Sequence, residues 1–325
     1  MSLIERIASY DNLYHAFKEC SRGKRNKDGF RRYLPRHSEN IKSLELEISK
    51  TKNYSWGDYR EFWVYDPKKR LVMAAPFKDR IVHTAIYRVT EPIIDKTLGS
   101  RTFACRHGMG NKKAAQRLSK QLQLMGKNRY CIKLDAKKYF ESINHENLFK
   151  KMMAKLPDDS LRHILASLIV SHPNYRAKKR GIPIGNLTSQ LFANFYLSEV
   201  DQLGCRELQL DFNEDKFESH AGYLRYMDDI VILSRSKEKS IQVANQLVEY
   251  AEGELGLSIP SDKYIMLAHD PVPFLGYVHD EKGYRILGRN ERRYVKKLKR
   301  MTAQGKSLSQ KAMVIQSFEA WRNLF

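Results

Sequence analysis

Three aspartates are the residues best suited to chemistry. Asp228 and Asp229 stand side by side in Tyr223-Leu-Arg-Tyr226-Met227-Asp228-Asp229-Ile230-Val-Ile-Leu233, where the flanking apolar runs read as two strands joined by a tight turn that holds both acids together. Adjacent carboxylates repel and lose hydration beside a packed sheet, which is costly unless a cation sits between them. Taken alone, such a pair is usually only a polar turn, because Asp is a common turn former. Asp135 ends a further apolar strand, Tyr130-Cys-Ile-Lys-Leu-Asp135. It either caps the next segment, the usual case, or faces the Asp228-Asp229 turn from a neighbouring strand. The second reading converges three carboxylates on one point, a hard, all-oxygen ligand set suited to magnesium.

Cations and glycines supply the remaining candidates, each with a bland alternative. Lys69 and Arg70 follow a turn at Asp66-Pro67 in a basic hairpin; they hold a triphosphate, Arg as a planar fork and Lys as a point charge, or are merely solvated. Arg106-His-Gly-Met-Gly-Asn-Lys112-Lys113 precedes a helix expected from near Ala114. Backbone N–H groups there can cradle phosphate, though a plain loop is the simpler reading. In Gly181-Ile-Pro-Ile184-Gly185-Asn-Leu-Thr-Ser189-Gln190 the glycines bring backbone close to a neighbour before a buried helix, Leu191 to Val200. Lys263 lies in Ser261-Asp-Lys-Tyr. Arg292-Arg293-Tyr-Val-Lys296-Lys297-Leu-Lys-Arg300 has six cations in nine residues, either a solvated helix or one lying along a phosphate backbone.

The scaffold for these groups reads as α+β. Residues 1 to about 52 are helical and basic, Tyr59–Tyr65 alternates as a strand, and a helix from Phe77 ends near Glu91-Pro92. A helix starts near Asn144 or His145, and another carries Ile241, Ala244, Val248, Ala251 and Leu255 on one face before Gly256. A short strand near Leu257 to Ile259 completes the order of a split βαβ sheet, with helices on one face and the acid-bearing face open to a large substrate. With 325 residues, a sizeable core is available; 58 Lys and Arg against 37 Asp and Glu give a net charge of +21, which favours nucleic acid as the partner. No apolar run approaches the roughly 18 residues of a membrane span, and Met1-Ser-Leu-Ile-Glu-Arg opens no signal peptide. Cys20, Cys105, Cys131 and Cys205 form no Cys-x-x-Cys pair, so the expected compartment is the reducing cytoplasm.

From about Tyr59 to the C-terminus the chain resembles the reverse transcriptases. Asp135 with Phe140 five residues later, a Gly-rich loop and helix, Tyr226-Met-Asp-Asp229, a later Lys263 and Phe274-Leu-Gly-Tyr277 keep that family's order. The family's loop usually reads Gln-Gly-x-x-x-Ser-Pro, where this chain has Ile184-Gly185-Asn-Leu-Thr-Ser189-Gln190. With Tyr59-Arg-Glu-Phe-Trp-Val-Tyr-Asp-Pro-Lys68 and Phe103-Ala-Cys-Arg106 upstream, the variant looks like the reverse transcriptases of diversity-generating retroelements.

The resemblance implies a right-hand polymerase: a basic helical extension of the fingers over 1–58, a fingers and palm core over 59–287 (palm at about 91–140 and 181–287) and a short helical thumb over 288–325. It implies error-prone cDNA synthesis from a template-repeat RNA, with errors at template adenines; a primer and dNTPs are the co-substrates and a small basic accessory protein the partner. Asp135 and Asp228 then hold two Mg²⁺ ions, Asp229 supports them more peripherally and the Ala136 carbonyl adds a ligand. Lys263 is a candidate to protonate pyrophosphate, or else a plain surface lysine. Phe140 resembles the steric gate, or packs a core; Arg70 resembles the fingers Arg over the nucleotide, with Lys69, Ile184, Gly185, Ser189 and Gln190 beside the same substrate. Arg106, Lys112, Lys113, Arg292, Arg293, Lys296 and Lys297 are the expected nucleic-acid contacts. Group II intron maturases add a DNA-binding or endonuclease region for which nothing remains beyond Phe325. Retron-type and phage-defence enzymes stay open as alternatives, as does a non-catalytic RNA-binding scaffold, against which the three intact aspartates argue.

Overall fold

Serines set the first helices. The Ser2 hydroxyl accepts from the Glu5 N–H while the Glu5 carboxylate accepts from the Ser2 N–H, a capping box that starts α1 (Leu3–Ala8). Ser9 caps α2 (Tyr10–Ser21), and α3 (Asp28–Tyr33) and α4 (His37–Thr51) come after it. Strands β1 (Arg60–Tyr65) and β2 (Lys69–Ala74) pair antiparallel, and α5 spans Phe77–Asp95. Ile7, Leu13, Ala16, Ile41, Leu44 and Ile48 are fully buried, as are Ile81, Val82, Ala85 and Ile86 of α5. The computed structural model describes residues 1–65 and 69–323, and of Lys263 the backbone only; the expected Asp66-Pro67 turn lies outside the described residues.

Next come α6 (Asn111–Met125), β3 (Tyr130–Asp135), α7 (Tyr139–Ser142), α8 (His145–Lys155), α9 (Arg162–Ile169), α10 (Pro173–Lys178), α11 (Leu187–Tyr196) and α12 (Ser198–Glu207). The chain continues through β4 (Ala221–Tyr226), β5 (Asp229–Ser234), α13 (Lys237–Gly253) and β6 (Tyr264–Ala268). It closes with β7 (Val272–Phe274), β8 (Tyr277–Asp280), β9 (Gly283–Ile286), α14 (Gly288–Ala303) and α15 (Leu308–Arg322). Two compact units result. Met1–Gly99, Ala136–Val200 and Glu249–Ile259 make the first; Ser100–Asp135, Asp201–Val248 and the residues from Pro260 onward make the second.

The second unit is built on a four-stranded sheet of order β4-β5-β3-β6 with every neighbour antiparallel. That is the split βαβ order expected, but the fourth strand is β6, not Leu257–Ile259. The N–H groups of Leu257 and Ile259 are taken by the Ala251 carbonyl and the Glu252 carboxylate, and Pro260 has none to give a ladder. The expected open face is also corrected. Cys131, Leu224, Val231 and Leu233, on the side that carries Asp135 and Asp229, pack against Ala114, Leu118 and Leu122 of α6. A Cβ on Gly222 would stand 2.8 Å from Gln121 Cγ, so glycine is what lets α6 approach. On the opposite face α12 brings Gly204 onto Tyr223, where a Cβ would stand 2.6 Å from the ring. Strands apolar on both faces need cover on both faces; the strand ends that bear the acids stay half-exposed, and so does the edge strand β6, where Ile265 and Met266 are exposed.

Other boundaries differ for local reasons. Helix α5 continues through Pro92 to Asp95, because a proline near the helix end removes only one hydrogen bond and fully buried Ile94 holds the last turn. The helix expected over Leu191–Val200 is two, with a break at Leu197 between α11 and α12. A three-stranded sheet in the second unit, order β7-β8-β9, turns at Leu275 (φ 49°) and Gly276 (φ 91°), the two positive φ values of a type I′ hairpin. Trp321 of α15 stacks on Tyr277 with ring centroids 4.8 Å apart, and its backbone carbonyl accepts the Tyr277 hydroxyl.

Candidate active site

In the second unit, register puts Asp135, the last residue of β3, directly opposite Asp229, the first of β5. The sequence reading held Asp228 and Asp229 together in one turn; the structure separates their roles. Asp228 occupies the turn itself, with Met227 before it at φ +58° and Asp229 already in the ladder with Tyr226. Positive φ at only the first of two loop residues is the pattern of a type II′ turn, which normally places glycine there; a methionine in that position carries backbone strain of order 1–3 kcal/mol. The Asp228 carboxyl shares a hydrogen bond with Asp135 and is pushed up to about 7, first by burial and then by the Asp135 charge. Asp229 turns instead to Lys133, whose Nζ lies 3.4 Å from Oδ1 and also donates to the Pro273 carbonyl at 2.8 Å.

The acids are therefore a pair with a braced third, and among the described residues no group of three or more His, Cys, Asp or Glu side chains is gathered to hold a metal. The pair still fits a divalent cation. A hydrogen-bonded, partly desolvated carboxylate pair that must keep a proton near neutral pH lacks positive charge, and Mg²⁺ commonly takes only one or two carboxylates together with substrate phosphates and water. The backbone of Lys263 forms a 3₁₀ turn, Ser261–Lys263, just before β6; its side chain lies outside the described residues.

The first unit gathers most of the expected substrate residues. The Ile184 carbonyl accepts from Met73 N–H of β2 at 2.9 Å, and the Phe140 carbonyl accepts from Ile182 N–H at 2.9 Å, so one loop is tied to both β2 and α7. Gly185 has φ +122°, and a Cβ there would stand 3.2 Å from both the Met73 carbonyl oxygen and Val72 Cγ1. Ser189 is buried and Gln190 half-buried in the first turn of α11; Ala136 is buried and Phe140 half-buried. Lys69 and Arg70 are exposed on β2, but strand alternation sends them to opposite faces. Arg70 shares its face with Val72, hence with Gly185, while Lys69 Nζ sits 4.3 Å over the Trp63 ring.

Of the expected nucleic-acid contacts, Lys112 and Lys113 are exposed in the first turn of α6, and Arg292, Arg293, Lys296 and Lys297 are exposed on α14. Arg106 donates to the Thr102 carbonyl at 2.9 Å, an internal tie of its loop. Sequence reasoning missed Arg225 and Asp201. Arg225 is fully buried on β4 and Asp201 on α12, joined Nε to Oδ1 and Nη2 to Oδ2 at 2.6 Å each. The signal was available: an arginine inside an otherwise apolar strand demands a buried acid.

An antiparallel split βαβ sheet, with one acid at the end of a central strand and another in the adjoining hairpin turn, defines a polymerase palm. Residues 66–279 match the family described as "Reverse transcriptase (RNA-dependent DNA polymerase)", and the chain belongs to that family, whose members use divalent metal ions. The chain is 26% identical to Protein YkfC of Escherichia coli (strain K12) over 72% of its own length and 71% of that protein. It is 22% identical to the group II intron-encoded protein LtrA of Lactococcus lactis subsp. cremoris, over 83% of its own length but only 54% of LtrA. The mixed α+β fold is shared with apo telomerase from Candida tropicalis, with a TM-score of 0.51 at 11% identity, covering 70% of this chain and 47% of that one. Among the described residues no helix is long and apolar enough to cross a membrane.

Proposed function

We propose that this reverse transcriptase copies an RNA template into cDNA at Asp135 and Asp228, and that it serves a diversity-generating retroelement by doing so with low fidelity. The hydrogen-bonded Asp135–Asp228 pair carries the catalytic reading. Two Mg²⁺ ions, when bound, supply Lewis-acid activation of the primer 3′-hydroxyl and charge neutralisation on the leaving pyrophosphate. The chain's own part is to hold two carboxylates together despite their repulsion, and to keep Asp229 neutralised by Lys133 so that it steadies the end of β5. The Ala136 carbonyl, next in the chain, is assigned as a further oxygen ligand and Lys263 as the proton donor to pyrophosphate. Phe140 is assigned as the gate against a 2′-hydroxyl. Arg70, on the face shared with Gly185, is the better placed of the two β2 cations to act with the Ile184–Gly185 loop on the triphosphate.

The low-fidelity reading rests on Ile184. Its carbonyl is committed to Met73, and its side chain is apolar and stiff about χ1 where an amide would donate and accept. One hydrogen bond of about 1 kcal/mol changes nucleotide discrimination several-fold. Purified protein with a primed RNA template, dNTPs and a divalent cation tests both readings. Asp135→Asn and Asp228→Asn should abolish extension while RNA binding persists; extension by either removes the catalytic assignment. Sequenced cDNA from Ile184→Gln should carry fewer errors opposite template adenine than cDNA from the parent, and equal error spectra would refute the role given to Ile184.

A further inference from the structure

A buried ion pair sits behind the hairpin turn that carries Asp228 and donates a hydrogen bond to it. The Arg225 guanidinium grips both Asp201 oxygens at 2.6 Å and spends its remaining terminal nitrogen, Nη1, on the Met227 carbonyl at 2.8 Å. That carbonyl belongs to the peptide joining Met227 to Asp228, so fixing it fixes the plane from which Asp228 begins. The Asp201 carboxylate is itself held: the Tyr223 hydroxyl donates to Oδ1 and the Thr102 hydroxyl to Oδ2, each at 2.8 Å. The Arg225 backbone is clamped as well, its N–H donating to the Arg101 carbonyl and its carbonyl accepting from the Phe103 N–H. Arg225, Asp201, Tyr223 and Thr102 are all at most 1% exposed.

We propose that Arg225 and Asp201 are positioning residues for polymerisation, locking the strained Met227–Asp228 turn in the one orientation that presents the Asp228 carboxylate to Asp135. This rests on the catalytic reading of the two aspartates above. Stability alone is a poor account of the pair, since a buried ion pair gains little over apolar residues of the same size once both charges are desolvated. Geometry is the better account. A bidentate guanidinium pair is planar and directional, and here its plane extends onto a turn whose φ a methionine would not adopt unaided. The Arg225 charge is matched by Asp201 at contact distance, so its effect on Asp228 is through position. Lysine in its place keeps the charge and cannot grip both Asp201 oxygens and the Met227 carbonyl together.

Arg225→Lys and Asp201→Asn are the direct tests, with Tyr223→Phe and Thr102→Val as milder variants that loosen Asp201 by one hydrogen bond and leave the ion pair in place. Mn²⁺ binding to each protein, read from the loss of the free-ion electron paramagnetic resonance signal, is measured beside primer-extension kinetics and thermal unfolding. The expected result for Arg225→Lys is Mn²⁺ affinity about tenfold weaker and a lower kcat, with KM for dNTP nearly unchanged. The milder variants should fall two- to fivefold on the same two measures, which keeps the test decisive if Arg225→Lys does not fold. Folded variants with parental Mn²⁺ affinity and parental kcat overturn the inference. A wild-type protein that binds Mn²⁺ but extends no primer overturns the catalytic reading instead, and the metal-binding series then decides the positioning role without it.

Discussion

Asp228 is held in a state that costs the metal-free protein stability, and the cost can be measured. Its carboxyl is ordinarily half-protonated near pH 3.8 and here at about 7, through burial first and the Asp135 charge second. At 1.36 kcal/mol per tenfold change in proton affinity, that difference is worth roughly 4 kcal/mol, and screening at the half-exposed strand end leaves roughly 2–4 kcal/mol. The sign comes from linkage. A carboxyl whose folded pKa is raised binds its proton more tightly in the folded state, so this stability is complete below about pH 4 and is lost as pH rises through about 7. Asp228→Asn fixes the neutral form in nearly the same shape. In a chelating buffer near pH 8 the variant should unfold about 4–8 °C above the parent, at about 2 °C per kcal/mol for a chain of this size. The gap should narrow as pH falls through about 7 and close below about pH 4. Adding a divalent cation near pH 8 should raise the parent and close the gap, because binding to the folded state alone stabilises it. Differential scanning fluorimetry across pH, with chelator or with metal, makes the measurement. Equal melting temperatures near pH 8 in chelator would falsify the claim that Asp228 is destabilised in the metal-free protein.

His279 titrates in the opposite sense. Buried in β8 with Nδ1 2.7 Å from the Ser119 hydroxyl of α6, it is pushed down to about 4 by burial, so its stability is present above about pH 6.5 and is lost as pH falls toward 4. His279→Phe should cost about 1 kcal/mol at neutral pH through the orphaned Ser119 hydroxyl, yet flatten the loss of stability between about pH 6.5 and 4 in urea titrations; an unchanged slope would place the acid sensitivity elsewhere. Gly276→Ala should loosen the C-terminal helix, because its Cβ would stand 2.7 Å from Trp321 Cζ2 and 2.9 Å from Asn290 Nδ2 at a φ of +91°. Faster limited proteolysis within α14 and α15 is the readout, and a parental digestion pattern would show that Trp321 does not depend on that gap.

Local sequence pattern sufficed where the cause is local: the apolar runs of β3, β4 and β5, the cap at Asn144, the amphipathic stretch that becomes α14, and the ordered motifs that carry the family resemblance. It was enough to single out Asp135, Asp228 and Asp229, since acids beside apolar strands are conspicuous. Tertiary structure decided what depends on partners distant in the chain. The fourth strand fell at Tyr264–Ala268 because the Leu257–Ile259 backbone was already bonded elsewhere, a fact that no propensity records. The acid-bearing face was covered because Gly222 admits Gln121, about a hundred residues earlier in the chain. Two adjacent aspartates took different partners, Asp135 for one and Lys133 for the other, because register and turn type, rather than adjacency, set where a side chain points. The Arg225–Asp201 pair was hidden for the same reason: each residue is an ordinary polar letter in its own segment, and only folding places the two guanidinium–carboxylate contacts at 2.6 Å and Nη1 on the Met227 carbonyl of the hairpin turn.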